Sequence, residues 1–451
     1  MSAGQLAAIF AREQQAFASA RPQSRALAQR SSAHFPHGVP MHWMRDWGTA
    51  FPLFVHEAQG AELVDADGHR YVDFCLGDTG AMFGHSPPVI AAALAAQAAR
   101  GLATMLPSAA TPEVGEALAE VFGLPWWQLT QTATDANRAV LRLARALTGR
   151  PRVLVFNHCY HGTVDETMVV MGEGGRTLPR PGQIGCLNNV AGTVVIEFND
   201  LPALQAALAA GDIACVLAEP VMTNAGMVLP QPGFLEALRD ACTRHGTLLA
   251  LDETHTLSSG RGGYARSTGL AADFLVCGKA IAGGLPCAVY GFTADVAARL
   301  RLAEDGREPG HSGLGTTLSA NPLALAALQA SLTQLMTVGN HAHMNRLAMH
   351  LAGAIESAFQ QRSLPWQVSR VGARLEFGRG VPPRNGSQSL AAIDHELEGA
   401  MHLYLLNRGF LLTPFHNMML VSPATTDEHL ARFLVAFSDC LDAFSGLMGV
   451  A

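Results

Sequence analysis

Of the 30 basic residues in this 451-residue chain, 29 are arginine, and Lys279 is the only lysine. Arginine stays protonated near neutral pH, whereas a lysine withdrawn from water can lose its proton and attack a carbonyl as a free amine. An arginine-rich composition explains the missing lysines but not the one that remains. Lys279 follows the apolar run Phe274–Cys277 and precedes Ala280-Ile281-Ala282-Gly283-Gly284, surroundings that disfavour the ammonium form. Upstream, a second apolar run, Thr247–Leu251, ends in Asp252-Glu253.

A lysine for a Schiff base and an acid that keeps a pyridine nitrogen protonated are the two groups that pyridoxal phosphate chemistry needs from a protein. On spacing alone, Asp252 serves equally as a cap for the segment after it. A phosphate seat is offered by Thr130–Asp135, which leads straight into a helix. Small hydroxyl residues at a helix start present free N–H groups and a favourable dipole to an anion, although capping by Thr134 or Asp135 explains the same residues. Tyr160-His161-Gly162, after the run Val153–Phe156, provides an aromatic that can stack on a flat ring.

Positioning these groups falls to a central α/β stretch. Val153–Phe156, Thr193–Glu197, Ala214–Ala218, Thr247–Leu251, Phe274–Cys277 and Val289–Phe292 are strand-length apolar runs with little polar alternation, as in a parallel sheet covered on both faces. Helices are expected between them, including Asp135–Thr148 and Pro232–His245, each stopped by a glycine. Before this stretch come a helix over Leu6–Ala18, an extended arm to about residue 45, and strand signals at Leu63-Val64 and Tyr71–Phe74. After Asn321-Pro322 come a long helix, a strand near Ala373–Phe377, a helix from Ser389 to Asn407, a strand pair within Phe410–Ser422, and a last helix from Asp427. The expected domains are 1–75 (helix and arm), 76–325 (large domain) and 326–451 (smaller α+β domain).

Composition excludes several classes. With 49% hydrophobic and 15% charged residues the chain can build a large core. A net charge of −7 and a pI near 6.2 argue against nucleic acid as a partner. The longest apolar stretch, Val89–Ala99, is too short to span a bilayer, and Arg12-Glu13 interrupt the place where a signal peptide would lie. Eight cysteines without a CxxC suggest reduced thiols and a cytoplasmic protein. His158-Cys159-Tyr160-His161 has no second Cys/His pair, so no metal is expected. The phosphate-binding P-loop pattern is unmet around Lys279.

Several pieces then agree in order. Tyr71-Val72-Asp73-Phe74 with Gly84-His85, Ala133-Thr134-Asp135-Ala136-Asn137, Tyr160-His161-Gly162, Glu219-Pro220, Asp252-Glu253, Lys279 and Gly315–Pro322 follow one another. In this the sequence resembles the class III, fold-type I pyridoxal-phosphate-dependent aminotransferases, particularly the glutamate-1-semialdehyde aminomutase branch, over about residues 35 to 440. The resemblance implies a large domain with a mostly parallel seven-stranded sheet flanked by helices, and a smaller α+β domain. It implies that Lys279 carries the cofactor as a Schiff base and later moves a proton. Asp252 would then pair with the pyridine nitrogen, Tyr160 stack on the ring, and His161 and Glu219 lie at the cofactor. Ala133 and Thr134 would hold the phosphate, helped by Thr317 of a neighbouring subunit in a homodimer with shared active sites.

Departures from the family pattern shape the substrate expectation. Ala133 stands where the family has glycine, and Asp252-Glu253 continues as Thr254-His255-Thr256 instead of the commoner Val-x-Thr-Gly. No arginine precedes Pro423 in Met418–Pro423, where ornithine- and GABA-type members bind a carboxylate. The aminomutase branch uses an arginine of the N-terminal arm, which makes Arg45 the candidate carboxylate clamp; the alternative is an ion pair with Asp46. Trp43 and its apolar neighbours, with Phe415–Met419, imply a bulky or aromatic substrate if they line the pocket, and core or dimer contacts if they do not. The expected activity is transamination between a small amino donor and an oxo acid; the alternative is an aminomutase, ammonia-lyase or racemase of the same fold. A non-catalytic regulator would add a DNA-binding module, for which a single N-terminal helix without a basic face is no candidate.

Overall fold

Seven strands carry the central stretch in a computed structural model that describes residues 3–185, 190–305, 308 and 310–448. They are β1 (Trp126–Thr130), β2 (Arg152–Phe156), β3 (Thr193–Ile196), β4 (Ile213–Ala218), β5 (Leu248–Asp252), β6 (Phe274–Cys277) and β7 (Ala288–Phe292). Their order in the sheet is β1-β7-β6-β5-β4-β2-β3, with β7 alone antiparallel to its neighbours. Every residue of β4, β5, β6 and β7 is buried, which explains their unbroken apolar spelling: both faces are covered and no polar alternation is called for.

The strand missing from the sequence reading is β1. Trp126-Trp127 look like core packing, but they form an edge strand paired with β7, Trp127 opposite Gly291. That glycine makes room for the indole, since a Cβ there would sit 2.6 Å from the Trp127 ring. Trp126 stays 44% exposed, with the Arg301 guanidinium 4.5 Å over its ring.

The helix Ala133–Thr148 packs on the sheet through Ala136, Val140, Leu141 and Ala144, all buried in one apolar cluster. Burying a side chain such as Val140 or Leu141 contributes about 1.5–3 kcal/mol. Gly149 ends the helix in the left-handed conformation (φ 68°). A second glycine-stopped helix spans Phe234–His245.

The described chain divides into two compact units, Pro88–Ala342 with Pro383–Ala391, and Met1–Pro87 with His343–Pro382 and Ala392–Ala451. The second unit holds a sheet of Val55–Gln59, Glu62–Asp65, Arg70–Asp73 and Phe410–Leu411, and another of Trp366–Val371, Arg374–Arg379 and Met418–Leu420. The expected strand pair within Phe410–Ser422 is therefore two strands in different sheets. Phe410 aligns with Val72, whereas Met419 aligns with Leu375.

The arm also differs from expectation. A second helix, Pro22–Ser31, follows the first, Ala3–Ala20, because Pro22 at its first position fits a helix start. The single helix expected over Ser389–Asn407 is two, Gly386–Ala392 and His395–Leu406, the latter capped by the Asp394 carboxylate on Leu397 N–H (3.1 Å). The first belongs mainly to the large unit and the second to the small one.

Seven cysteines are buried without disulfides; Cys186 lies outside the described residues. Among the described residues no helix is long and apolar enough to cross a membrane.

Candidate functional site

Four strand ends and one helix start in the large unit bring together most of the singled-out residues. β5 ends in Asp252 beside Val276 of β6, and two residues after β6 comes Lys279. β4 leads into Glu219, and β2 into the loop Tyr160–Thr163. Carboxyl ends of parallel strands are where open α/β sheets bind ligands.

Asp252 is the best-held group. Its Oδ2 accepts hydrogen bonds from Asn137 Nδ2 (2.8 Å) and His161 Nδ1 (3.0 Å), and its Oδ1 accepts from Thr254 N–H (3.1 Å). Burial alone pushes its carboxyl up, but the hydrogen bond and charge of His161, with Thr254 and Asn137, outweigh it and hold Asp252 at about 2. For His161, burial works against the proton, yet Cys159 and the Asp252 carboxylate raise it above the ordinary histidine value. The pair is thus a buried carboxylate facing a protonated imidazole. Asp252 thus caps Thr254 N–H locally and is also tied to neighbours distant in sequence, Asn137 and His161.

The helix start is stitched to the loop after β2. Thr132, not Thr134 or Asp135, is the cap, its hydroxyl accepting from Asp135 N–H (3.2 Å). Thr134 is consequently not spent on capping; its Oγ1 accepts from Thr163 N–H (3.1 Å). Asn137 Nδ2 also donates to His161 O (3.1 Å). N–H groups at Ala133 and Thr134 belong to the first turn, which has no intrahelical acceptor for them. Gly162 has φ +77° and lies so close to Thr134 that a Cβ would run into its hydroxyl. Gly162→Ala is therefore expected to cost about 2–3 kcal/mol through positive-φ strain and the clash, seen as a thermal midpoint lowered by several degrees; an unchanged midpoint would count against this close seat.

Lys279 begins a short turn over Lys279–Ala282 and has φ +48°, a left-handed backbone seldom taken by a side-chain-bearing residue. The preceding Gly278 touches the helix start: a Cβ on it would lie 2.9 Å from Ala133 Cβ. Lys279 Nζ lies 2.6 Å from His255 Nε2. Glu219 is buried, accepting from the Thr223 hydroxyl (2.6 Å) and Thr223 N–H (3.2 Å), with Tyr160 N–H 3.5 Å away. Burial pushes its carboxyl up, with His161 and Thr223 opposing.

Three residues to which the sequence alone assigns no role are Asn137, His255 and Thr223. Each is named by its contact in space, although His255 sits three positions after Asp252. Of the other expected site residues, Thr317 is exposed on its own chain. Arg45 and Trp43 belong to the small unit. Arg45 Nη1 is 2.9 Å from His37 Nδ1 and its Nε only 4.0 Å from Asp46, and the side chain is 48% exposed. An ion pair that long and exposed contributes little.

A pyridoxal phosphate fits this set. Asp252 supplies a charged carboxylate for a ring nitrogen, the Ala133–Thr134 turn offers N–H groups to a phosphate, and Lys279 provides an amine. Two buried polar atoms among these side chains, Asn137 Oδ1 and His161 Nε2, make no hydrogen bond among the described residues, as expected where a polar ligand completes the site.

Known proteins resemble this chain over nearly its whole length. The sequence profile of the aminotransferase class-III family matches residues 43–441. A glutamate-1-semialdehyde 2,1-aminomutase of Sorangium cellulosum is 34% identical over 431 residues, covering 94% of this chain and 97% of that protein. The crystal structure of a glutamate-1-semialdehyde aminomutase from Pseudomonas aeruginosa is 46% identical with a TM-score of 0.95, covering 98% and 99% of the two chains; a variant of it has been solved with PMP. A β-phenylalanine aminotransferase from Variovorax paradoxus is 27% identical with a TM-score of 0.88, covering 99% and 100%.

Proposed function

The chain belongs to the class III, pyridoxal-phosphate-dependent aminotransferase family of fold-type I, and on that premise we propose that it moves an amino group within a single small substrate, as an aminomutase. The observation that carries the amino-group chemistry is the ionised, buried Asp252 on the strand next to the one that delivers Lys279. The aminomutase outcome is supported by the names of its relatives at 34% and 46% identity and by the lack of an arginine in Met418–Pro423. Sequence reasoning put transamination first. That second reading keeps support from the β-phenylalanine aminotransferase likeness.

When bound, pyridoxal phosphate supplies an electron sink that acidifies the Cα–H of an attached amino compound. Asp252 keeps a proton on the ring nitrogen, and its own ionisation is secured by His161 and Asn137. The Ala133–Thr134 turn would anchor the phosphate, with Gly162 letting the Tyr160–Thr163 loop pack against Thr134. Tyr160 would stack on the ring, and Glu219 faces the backbone N–H of the loop that carries it. Lys279 would hold the cofactor through its amine, and its Nζ would carry the proton that moves at the substrate Cα. We further propose a homodimer in which Thr317 serves the neighbouring subunit.

The direct test is to give the loaded enzyme glutamate-1-semialdehyde alone. Isomerised product without any added oxo acid supports the aminomutase. Conversion only with stoichiometric oxo acid, after the amino form of the cofactor has built up, supports transamination instead.

Arg45 is our candidate for the substrate carboxylate. Losing a charge-assisted hydrogen-bonding partner costs about 1.5–3 kcal/mol. Arg45→Ala is accordingly expected to raise the KM of carboxylate substrates about 10- to 100-fold and leave simple amines untouched. Unchanged KM values for every carboxylate would remove Arg45 from the site.

A further inference from the structure

Directly after Asp252-Glu253, where the family commonly has Val-x-Thr-Gly, this chain has Thr254-His255-Thr256. His255 is buried, and its Nε2 lies 2.6 Å from Lys279 Nζ. Neither ring pairing nor phosphate anchoring calls for an imidazole there.

Both partners of this contact stand on restrained backbone. The turn carrying His255 is clamped by the buried Glu253, which accepts from Tyr264 N–H (2.9 Å), Ala265 N–H (2.6 Å) and the Thr256 hydroxyl. Leu257 N–H closes the turn on Glu253 O (2.8 Å), and the Ser258 hydroxyl donates to His255 O (2.9 Å). On the other side, Gly278 abuts Ala133, and Lys279 is held left-handed. Two fixed anchors thus bring together a long flexible side chain and a ring on only two rotatable bonds. An imidazole protonated at Nδ1 has its Nε2 lone pair available, and a lysine nitrogen donates N–H in either protonation state.

We propose that His255 is the positioning residue for the Lys279 amine: its Nε2 accepts one N–H of Nζ whenever that nitrogen is not covalently engaged. This rests on the reading of Lys279 as the reacting amine and deepens it. A lysine freed by the incoming substrate amine would otherwise swing on four rotatable bonds. The hydrogen bond returns Nζ to one place and turns its remaining lone pair in one direction, the arrangement a proton transfer at Cα requires. Misplacing a reacting group by about 1 Å costs about 100-fold in rate.

The single lysine makes the contact observable apart from turnover. Incorporating lysine labelled with ¹⁵N at Nζ gives one side-chain signal in the full-length chain. In cofactor-free protein, His255→Ala is expected to speed solvent exchange of the Nζ protons at least about tenfold, as for a lost hydrogen bond. His255→Gln, whose amide oxygen can still accept, should keep exchange slow. In the loaded enzyme, His255→Ala should slow the reaction with the amino substrate about 10- to 100-fold with little change in KM, and His255→Gln should recover most of the rate. Native exchange and native rate in a folded His255→Ala protein overturn the proposal; so does equal loss of rate in both variants with exchange unchanged, which would mark a merely structural role. Borohydride reduction of the loaded native protein tests the parent reading separately. If it marks no lysine, the amine role of Lys279 falls, while the exchange measurement still reports whether His255 holds Nζ.

Discussion

Lys279→Arg should lower turnover at least about 10,000-fold, the scale seen when a covalent catalytic residue is removed, while the protein remains folded. Arginine keeps the charge and most of the length of lysine, so a purely electrostatic role for Lys279 would survive the exchange. It stays protonated, however, and cannot act as an amine nucleophile. Cofactor should still enter, because Asp252 and the Ala133–Thr134 turn are untouched, but borohydride should no longer fix it to the chain. Peptide mapping of the reduced native protein gives the companion result: of the two amines present, Lys279 and the N-terminus, only Lys279 carries the label. Turnover within tenfold of native in the arginine variant would remove Lys279 from the chemistry.

The second large effect belongs to Asp252. Asp252→Asn preserves volume and can still accept from Asn137 and His161, but it loses the charge and turns an NH2 towards the Thr254 N–H that its other oxygen accepts from. Without a carboxylate to keep the ring nitrogen protonated, the electron sink weakens, and the rate is expected to fall about 100- to 10,000-fold. The pH dependence has a definite sign. The folded-state value of Asp252, about 2, lies below the ordinary aspartate value of about 3.9. Its contribution to stability is fully present above that ordinary value and is lost as pH falls through the folded one. An acid limb in the native rate profile near neutrality must then come from other groups, and it should persist in the residual activity of Asp252→Asn. Disappearance of such a limb in the variant would show that Asp252 titrates there.

What could be read from the sequence follows a physical divide. Six of the seven central strands are legible because each is buried on both faces and therefore spelled in uninterrupted apolar residues. The seventh, Trp126–Thr130, is only partly buried, with Trp126 and Gln128 exposed, so its apolar run is broken by a polar residue, whereas the other edge strand, Thr193–Ile196, stays largely buried and legible. In the small unit, strands as short as Phe410–Leu411 and Met418–Leu420 carry too few residues to announce which partner they take. Only the pairing of Phe410 with Val72 and of Met419 with Leu375 reveals two sheets.

The site divides in the same manner. Lys279 and Asp252 are visible since each ends an apolar run with a charge, an expensive arrangement that invites a chemical reason. Asn137 reads as an ordinary helix residue, and its bond to Asp252 crosses 115 positions of chain. Thr132 shows how local ambiguity resolves: three hydroxyl or carboxylate residues stand at one helix start, and the backbone geometry selects the first as the cap. That choice is what leaves Thr134 available to the loop after β2.

The division of the chain into units bears on how the protein is made. The large unit runs almost uninterrupted from Pro88 to Ala342, whereas the small unit is assembled from the first 87 residues and segments that begin only at His343. The Arg70–Asp73 strand waits for Phe410–Leu411, its parallel neighbour near the other end of the chain. At ribosomal speeds of about 5–20 residues per second, that wait is on the order of tens of seconds. During it the emerging chain carries a nearly complete domain behind an amino-terminal segment with an unfilled sheet edge. Nascent chains halted shortly after residue 342 should therefore hold a protease-resistant central fragment with a sensitive leading segment, which makes chaperone demand greatest at the amino terminus.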